Sequence, residues 1–261
     1  MPLTIDQTSL SIEKKKEFWS ADPFPFIVFD GFLPDSFARN LLVEISQIDN
    51  NKKSNDYIFA KNKFENPSLD FGPFAIELRD FMLSNEFSSA ISSIYGNTVF
   101  IDSDFVGGGV HRGGAGSFLD MHVDFGVHPG NKRWVRELNI LLYLNSDWKP
   151  EYGGNLLLKN KLNGKYASIE PIFNRLVVMQ TKSHTLHGYR EISFPQGTFR
   201  TSIAAYAYSV AKDDAQLEKL ITTTQWSPEE AGVLKRIIAL ITPKLVIMKQ
   251  SIMGSSTMKK K

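Results

Sequence analysis

VRELNILLYLN (residues 135–145) decides how this chain folds. Read with a period of two, Leu138, Ile140, Leu142 and Leu144 make one continuous apolar face. Glu137, Asn139, Leu141, Tyr143 and Asn145 make the other. Successive side chains of a strand point to opposite faces, so the stretch predicts a strand whose apolar face packs against helices. Comparable runs lie on both sides: TVFIDSDFV (98–106), FLDMHVD (118–124), GNLLLKN (154–160), RLVVMQT (175–181) and FRTSIAAYAYS (199–209). Short strands separated by Gly-, Asn- and Pro-rich turns predict an all-β sandwich or barrel, and a double-sheet jelly roll matches their number and spacing.

Further out the pattern changes. PFPFIVFDGFL (23–33) reads as a short strand with alternating apolar positions. In residues 34–48, Pro34 and Asp35 are helix-start signals, and Phe37, Leu41, Leu42 and Ile45 recur at helical spacing. Two more helices are expected near 73–83 and 85–95. Residues 1–22 are polar and are expected to wrap the outside or fray, and the Asn-, Lys- and Asp-rich residues 49–70 read as an exposed loop. VGGGVHRGGAGSF (106–118) reads as either a mobile lid at a barrel mouth, with Arg112 and His111 near substrate, or a plain hairpin connection. After residue 209 helix returns in AKDDAQLEKLIT (211–222) and in SPEEAGVLKRIIALI (227–241), the latter with a Ser-Pro-Glu-Glu start. Pro243 is expected to end or kink that helix, and GSSTMKKK to be disordered. The organisation predicted is a single domain: a helical support region (1–96), a β core (97–209) and a helical C-terminal region (210–261). The apolar, basic stretch VLKRIIALITPKLVIMKQSIM is expected to pack on its own domain or on a twin subunit, as in a homodimer, rather than on a membrane surface.

Composition removes whole classes of function. With no cysteine among 261 residues, disulfides, thiolate nucleophiles, cysteine-ligated zinc and iron–sulfur clusters are excluded. A net charge of +2 gives no argument for nucleic acid as a partner. No run of about 18 apolar residues predicts a spanning helix, and the N-terminus lacks the apolar core of a secretory signal, so a cytoplasmic location is expected.

Any metal must then sit on His, Asp, Glu or backbone oxygen. His122 and Asp124 in FLDMHVDFG are two residues apart and share one face of a strand, so an imidazole and a carboxylate reach the same ion. His-x-Asp alone is a weak motif. The remaining histidines are His111 and His128, which read as loop residues, and His184 and His187 in TKSHTLHGYRE. Two histidines and one carboxylate leave three open positions on an ion, the arrangement of non-haem iron(II) oxygenases. Arg200, Ser202, Ala204 and Tyr206 share a strand face, and Arg200 with Ser202 would make an anion site. A buried guanidinium needs a carboxylate partner, and Tyr143 could donate to that same carboxylate.

In this order HVD (122–124), LNILLYLNSDW (138–148), GGNLLL (153–158), PIFNRLVVMQT (171–181), His187-Gly188 and RTS (200–202) resemble the prolyl-4-hydroxylase-like branch of the 2-oxoglutarate- and iron(II)-dependent dioxygenases, bacterial members included. The resemblance spans residues 23–209. It implies a mostly β core with flanking helices, a double-stranded β-helix of jelly-roll or cupin-like type. It also implies Fe(II) on His122, Asp124 and His187, and 2-oxoglutarate as cosubstrate on Arg200 with Tyr143 and Ser202. O2 would be the oxidant and ascorbate a stimulant. His187 is preferred to His184 because the family's metal histidine is commonly followed by Gly or Val. The implied reaction hydroxylates an unactivated C–H bond and releases succinate and CO2; retention of Asp124 favours hydroxylation over halogenation. GYREISFPQGTF before Arg200 is longer than in metazoan prolyl hydroxylases, so prolyl specificity does not carry over. A small-molecule substrate is slightly favoured over peptidyl proline. The rival readings are a catalytically silent jelly-roll binding protein and a cupin-like metal-dependent isomerase.

Overall fold

A computed structural model describes residue 3 and residues 12–48, 56–229 and 231–253. The N-terminal residues 4–11, residues 49–55 and the GSSTMKKK tail lie outside the described residues, and with them the expectations of fraying, looping and disorder placed there.

The helical support consists of α1 (Ile12–Ser20), α2 (Asp35–Ser46), α3 (Pro73–Leu83) and α4 (Asn85–Tyr95). Local signals set their ends. Ser84 caps α4 by accepting from the Phe87 amide at 3.1 Å, and Gly96 closes it in the left-handed region at φ 82°. Pro73 opens α3, whose free Phe74 and Ala75 amides donate to Glu44 of α2 at 3.0 and 2.9 Å. Helices of this length are marginal alone. They are held by burial: Leu41, Ile45, Leu78, Phe87 and Ile91 pack on Leu138, Ile140, Leu142 and Leu144, the apolar face expected from the sequence. Each such fully buried side chain contributes roughly 1.5–3 kcal/mol. Residues 12–20, expected to wrap the outside or fray, do not fray but form α1, because Phe18 is fully buried against Tyr95 and Trp19.

Among the described residues the strands are β1 (Phe26–Asp30), β2 (Ala60–Asn66), β3 (Phe100–Ile101), β4 (Gly109–Val123), β5 (Trp134–Tyr143), β6 (Leu156–Asn160), β7 (Tyr166–Ile169), β8 (Arg175–Gln180), β9 (Thr185–Tyr189), β10 (Arg200–Val210) and β11 (Gln225–Trp226). They run in the order β1-β8-β5-β10-β4-β9-β6-β7, with β2 and β11 on β4 and β3 on β10. All pairings are antiparallel, and the sheet curls on itself. The long β4 pairs with β10 through residues 109–113 and with β9 through residues 119–122, so it passes from one layer to the other. Phe24, Tyr143, Val177 and Met179 from one side meet Leu156, Leu158 and Ile169 from the other inside the curl. This curled antiparallel sheet with helices on one face is the jelly-roll-type core expected from the sequence.

Four expectations need correction. Residues 60–66 are strand β2, not loop: they pair with β4 from Lys63↔Gly113 to Asn66↔Val110. The Gly-rich segment is mostly strand too, so His111 and Arg112 sit on β4, held between β2 and β10, and residues 109–118 are no mobile lid. The last helix, α6 (Val233–Met253), begins six residues after Ser227 and runs through Pro243, while only Asp214–Glu218 of the 211–222 segment is helical (α5). Glu137 is the fourth. Register shifts between Ala207 and Tyr208, which pair with Leu138 and Arg136, so Glu137 is an extra residue in β5. A bulge of this kind re-aims the side chains beside it. Glu137 turns to Tyr95, Ser209 and Lys182, whose donors reach it at 2.6, 2.7 and 2.6 Å, while Arg136 faces the inside of the curl.

Candidate active site

A cavity of about 570 Å³ opens inside the curl, lined among others by His122, Asp124, His187, Tyr143, Arg200 and Ser202. His122 is the penultimate residue of β4, Asp124 lies just past the strand's end, and His187 is the cross-strand partner of His122 on β9. One ligand atom from each lies within 4.8 Å of the others. His122 Nε2 is 3.5 Å from Asp124 Oδ1, and His187 Nε2 is 3.6 Å from Asp124 Oδ2. His184 sits in the turn before β9 and is not part of this cluster. Gly188 explains why β9 can come so close: a Cβ there would stand 2.6 Å from the Leu119 carbonyl oxygen and 2.9 Å from that of Asp120.

The surroundings orient these donors. His122 Nδ1 lies 2.9 Å from the Asp120 carbonyl oxygen, which only accepts, so Nδ1 carries the proton and Nε2 keeps its lone pair. Asn139 Nδ2 donates to Asp124 Oδ2 at 2.7 Å. Thr181 Oγ1 donates to Asn139 Oδ1 at 3.1 Å, which fixes the amide's orientation. Arg136 Nη1 is 3.0 Å from Asp124 Oδ2; its guanidinium is 1 % exposed and stacked between the rings of Phe125 and Tyr206 at 3.9 and 3.7 Å. Burial alone would raise Asp124, but Arg136, His187 and His122 outweigh it and hold the carboxyl well below its usual range. Burial, with His122 alongside, pushes His187 down to about 3. Both groups therefore stand in the unprotonated forms that bind cations. Trp226 lies against the His122 ring at 4.9 Å and stacks on Phe59 at 4.8 Å.

Elsewhere in the cavity Arg200 is 6 % exposed. Its Nε donates to the Gly154 carbonyl at 2.6 Å and its Nη2 to Tyr143 Oη at 3.3 Å, with the Tyr189 ring 4.1 Å away. No described carboxylate pairs with it, so the partner expected for a buried guanidinium is not found among the described residues. Ser202 lines the same wall, between Tyr143 on β5 and His111 on β4. His111 is pushed down to about 4 by burial, with Lys63 adding to the effect, and its Nε2 is buried without a hydrogen bond. Lys63 and Glu65 of β2, 3.0 Å apart, close the cavity on that side.

Several residues of the site escaped sequence reasoning. Asn139 was on the correct face without a role. Arg136 was assigned no face, and the bulge brings it inside. Lys63 and Glu65 sat in a stretch without apolar alternation. His128, read as a loop residue, lies between β4 and β5; its Nδ1 accepts from the Gly130 and Asn131 amides, and its Nε2 is 3.2 Å from buried Asp102, a structural anchor away from the cavity.

Residues 108–208 match the family model described as the 2OG-Fe(II) oxygenase superfamily. No curated protein sequence matches the chain. Among solved structures, a Pseudomonas putida prolyl-4-hydroxylase is similar at a TM-score of 0.51 and 16 % identity, over 77 % of this chain and 98 % of its own. A Trichoplax adhaerens prolyl hydroxylase, in complex with a hypoxia inducible factor oxygen degradation domain peptide fragment, is similar at 0.53 and 19 %, over 77 % and 91 %. HygX of Streptomyces hygroscopicus, with nickel, 2-oxoglutarate and hygromycin B bound, is similar at 0.53 and 13 %, over 77 % and 88 %. At these identities the likeness speaks for the fold alone, and the family match for the core. The strand core of this chain, residues 108–208, is similar to that of the 2OG-Fe(II) oxygenase superfamily.

Proposed function

We propose that this chain is a 2-oxoglutarate-dependent hydroxylase in which His122, Asp124 and His187 hold Fe(II) and Arg200, with Tyr143, holds the distal carboxylate of 2-oxoglutarate. The observation that carries this reading is the pairing of sites in one cavity. A His-Asp-His cluster shares it with a buried guanidinium that no described carboxylate neutralises. An unpaired buried charge is expensive, so a dianionic cosubstrate with one end on a metal suits both sites together. Iron and 2-oxoglutarate, when bound, supply the oxidative chemistry: O2 is reduced, the cosubstrate leaves as succinate and CO2, and a substrate C–H becomes C–OH.

The chain's own residues do the rest. Arg136 and Asn139 keep Asp124 ionised and aimed, and the Asp120 carbonyl holds the His122 tautomer that offers Nε2. Tyr143 donates beside Arg200, so the carboxylate end is held by a charge and a neutral donor. Ser202 is placed to add a third contact. Trp226 and Phe59 cover one side of His122 and keep water from it. The substrate is a small molecule with polar groups. An inward cavity of this volume suits such a ligand, and Lys63, Glu65 and Tyr57 line it with polar groups.

Succinate formation from 2-oxoglutarate by the Fe(II)-loaded protein under air tests the reading, first without substrate and then against pooled amines, sugars, amino acids and proline peptides. Turnover stimulated by a small-molecule pool is expected. Stimulation by proline peptides alone would reverse the substrate preference, and no succinate under any condition would leave the silent binding protein.

A further inference from the structure

We propose that α6 docks this protein on an anionic lipid surface. The helix reaches the body of the protein along one side: Ala239 is buried, Ile238, Thr242 and Val246 are half-buried, and its packing is against β11. Lys235 pairs with Asp120 at 2.6 Å, and Arg236 donates to the Glu229 carbonyl at 3.0 Å. The sequence reading expected the whole apolar stretch to be covered by its own domain or a twin, and its own domain does not cover it. Val233, Leu234, Ile237, Leu240, Ile241, Leu245 and Met248 all stand in solvent, Leu240 at 77 % and Leu234 at 72 %.

Their positions form a surface. At 100° per residue these side chains fall on one continuous arc of the helix, opposite Ala239 and Thr242. Exposed Lys244 lies within that arc, and Arg236 and Lys249 lie at its two margins. Long basic side chains at the edge of an apolar face can bury their stems while their charges stay at a headgroup layer. No described helix is long and apolar enough to cross a membrane, and this geometry is that of a helix lying in the plane of one.

Charge selects the occupant. From Val233 to Lys261 the sequence has seven basic residues and no acidic one, in a chain whose net charge is only +2, so the remainder is net negative. A twin α6 laid on this face would bring like charges together, Lys244 in the middle included, with no acid on either helix to meet them. An anionic bilayer meets both features of the arc, and the net negative remainder is repelled from the same surface, which sets one orientation. Since Lys235 ties α6 to Asp120, two residues before His122, docking would fix the cavity's position relative to the lipid.

Co-sedimentation of the full chain with vesicles tests this independently of metal or cosubstrate. Vesicles of phosphatidylcholine alone are compared with vesicles containing about a third phosphatidylserine, where each basic residue near the surface is worth roughly fivefold in partitioning. Binding is expected only to the anionic vesicles. It should weaken with added salt, fall by more than about tenfold in Lys244→Glu/Lys249→Glu, and be lost in Leu240→Asp/Leu245→Asp. Both double variants change exposed side chains, so unaltered circular dichroism is expected. Equal binding to neutral vesicles, or none to either, overturns the proposal. So does a dimer in sedimentation velocity that Leu240→Asp/Leu245→Asp dissolves while the wild type ignores vesicles, an outcome that assigns the face to a second copy.

Discussion

Replacing Gly188 by alanine is a sensitive probe of how the cavity is built. The added methyl would stand 2.6 Å from the Leu119 carbonyl oxygen, 2.9 Å from the Asp120 oxygen and 3.0 Å from the Asp120 carbonyl carbon. All three atoms are backbone of β4, so no flexible side chain can yield. Ordinary contact begins near 3.5 Å, and β9 must retreat by roughly 0.5–1 Å to reach it. His187 is the neighbouring residue on the retreating strand. Metal–ligand distances tolerate only about 0.2 Å, so its imidazole would no longer close the set with His122 and Asp124. Overpacking of this kind costs about 1–3 kcal/mol, and at about 2–4 °C per kcal/mol the metal-free protein should melt roughly 2–12 °C lower. Iron affinity should fall by at least about tenfold, the range seen when support of metal ligands is disturbed. Anaerobic competition with a chromophoric chelator reads the affinity, and differential scanning fluorimetry reads the melting. Gly232→Ala is the control, since a methyl there meets nothing within 4 Å. A Gly188→Ala protein that binds iron as tightly as wild type would show that close approach of β9 to β4 does not set the position of His187, whatever its melting temperature.

Arg200→Lys keeps the charge but loses the planar fork, so the 2-oxoglutarate KM should rise about 10–100-fold with iron affinity unchanged; a matching loss of iron would mean that Arg200 is structural. Asn139→Ala removes the donor at 2.7 Å from Asp124 Oδ2 and strands Thr181, and should weaken iron binding about tenfold in the chelator assay without altering 2-oxoglutarate affinity measured on loaded protein. His111, at about 4, and His187, at about 3, lie below the ordinary histidine value of 6.5, so between these limits the unfolded chain binds the more protons. Their contribution to metal-free stability is therefore full above pH 6.5 and is lost on acidification toward pH 4, by about 3 kcal/mol each. Urea unfolding of His111→Gln should show a visibly flatter decline over that window than wild type; superimposable profiles would mean that His111 does not contribute to the pH dependence.

The legible parts of the fold were those with a strong period. α2, α3, α4 and the central strands each carry apolar residues at one clear spacing, and the apolar face of VRELNILLYLN packs on the helices as its alternation requires. What escaped has a physical reason in each case. AKNKFEN reads as loop because β2 presents Lys63 and Glu65 to the cavity and has no apolar alternation to show. The glycines of 109–116 conceal a strand because close approach of backbone, not side-chain burial, holds it. The bulge at Glu137 leaves no mark in sequence, yet it turns Arg136 inward beside Asp124 and sends Glu137 outward to Tyr95 and Lys182. The histidine pair of TKSHTLHGYRE is separated by a turn boundary: His184 precedes β9 while His187 lies on it, opposite His122.

The most direct test is an anaerobic titration of Fe(II)-loaded protein with 2-oxoglutarate, watching for the weak visible charge-transfer absorption of a chelated 2-oxo acid, in wild type and in His184→Ala, His187→Ala and Arg200→Ala. A saturable band is expected in wild type and His184→Ala, none in His187→Ala, and one reached only at much higher 2-oxoglutarate in Arg200→Ala. A wild type without the band, or a His187→Ala protein that keeps it, would contradict the placement of iron and cosubstrate in this cavity.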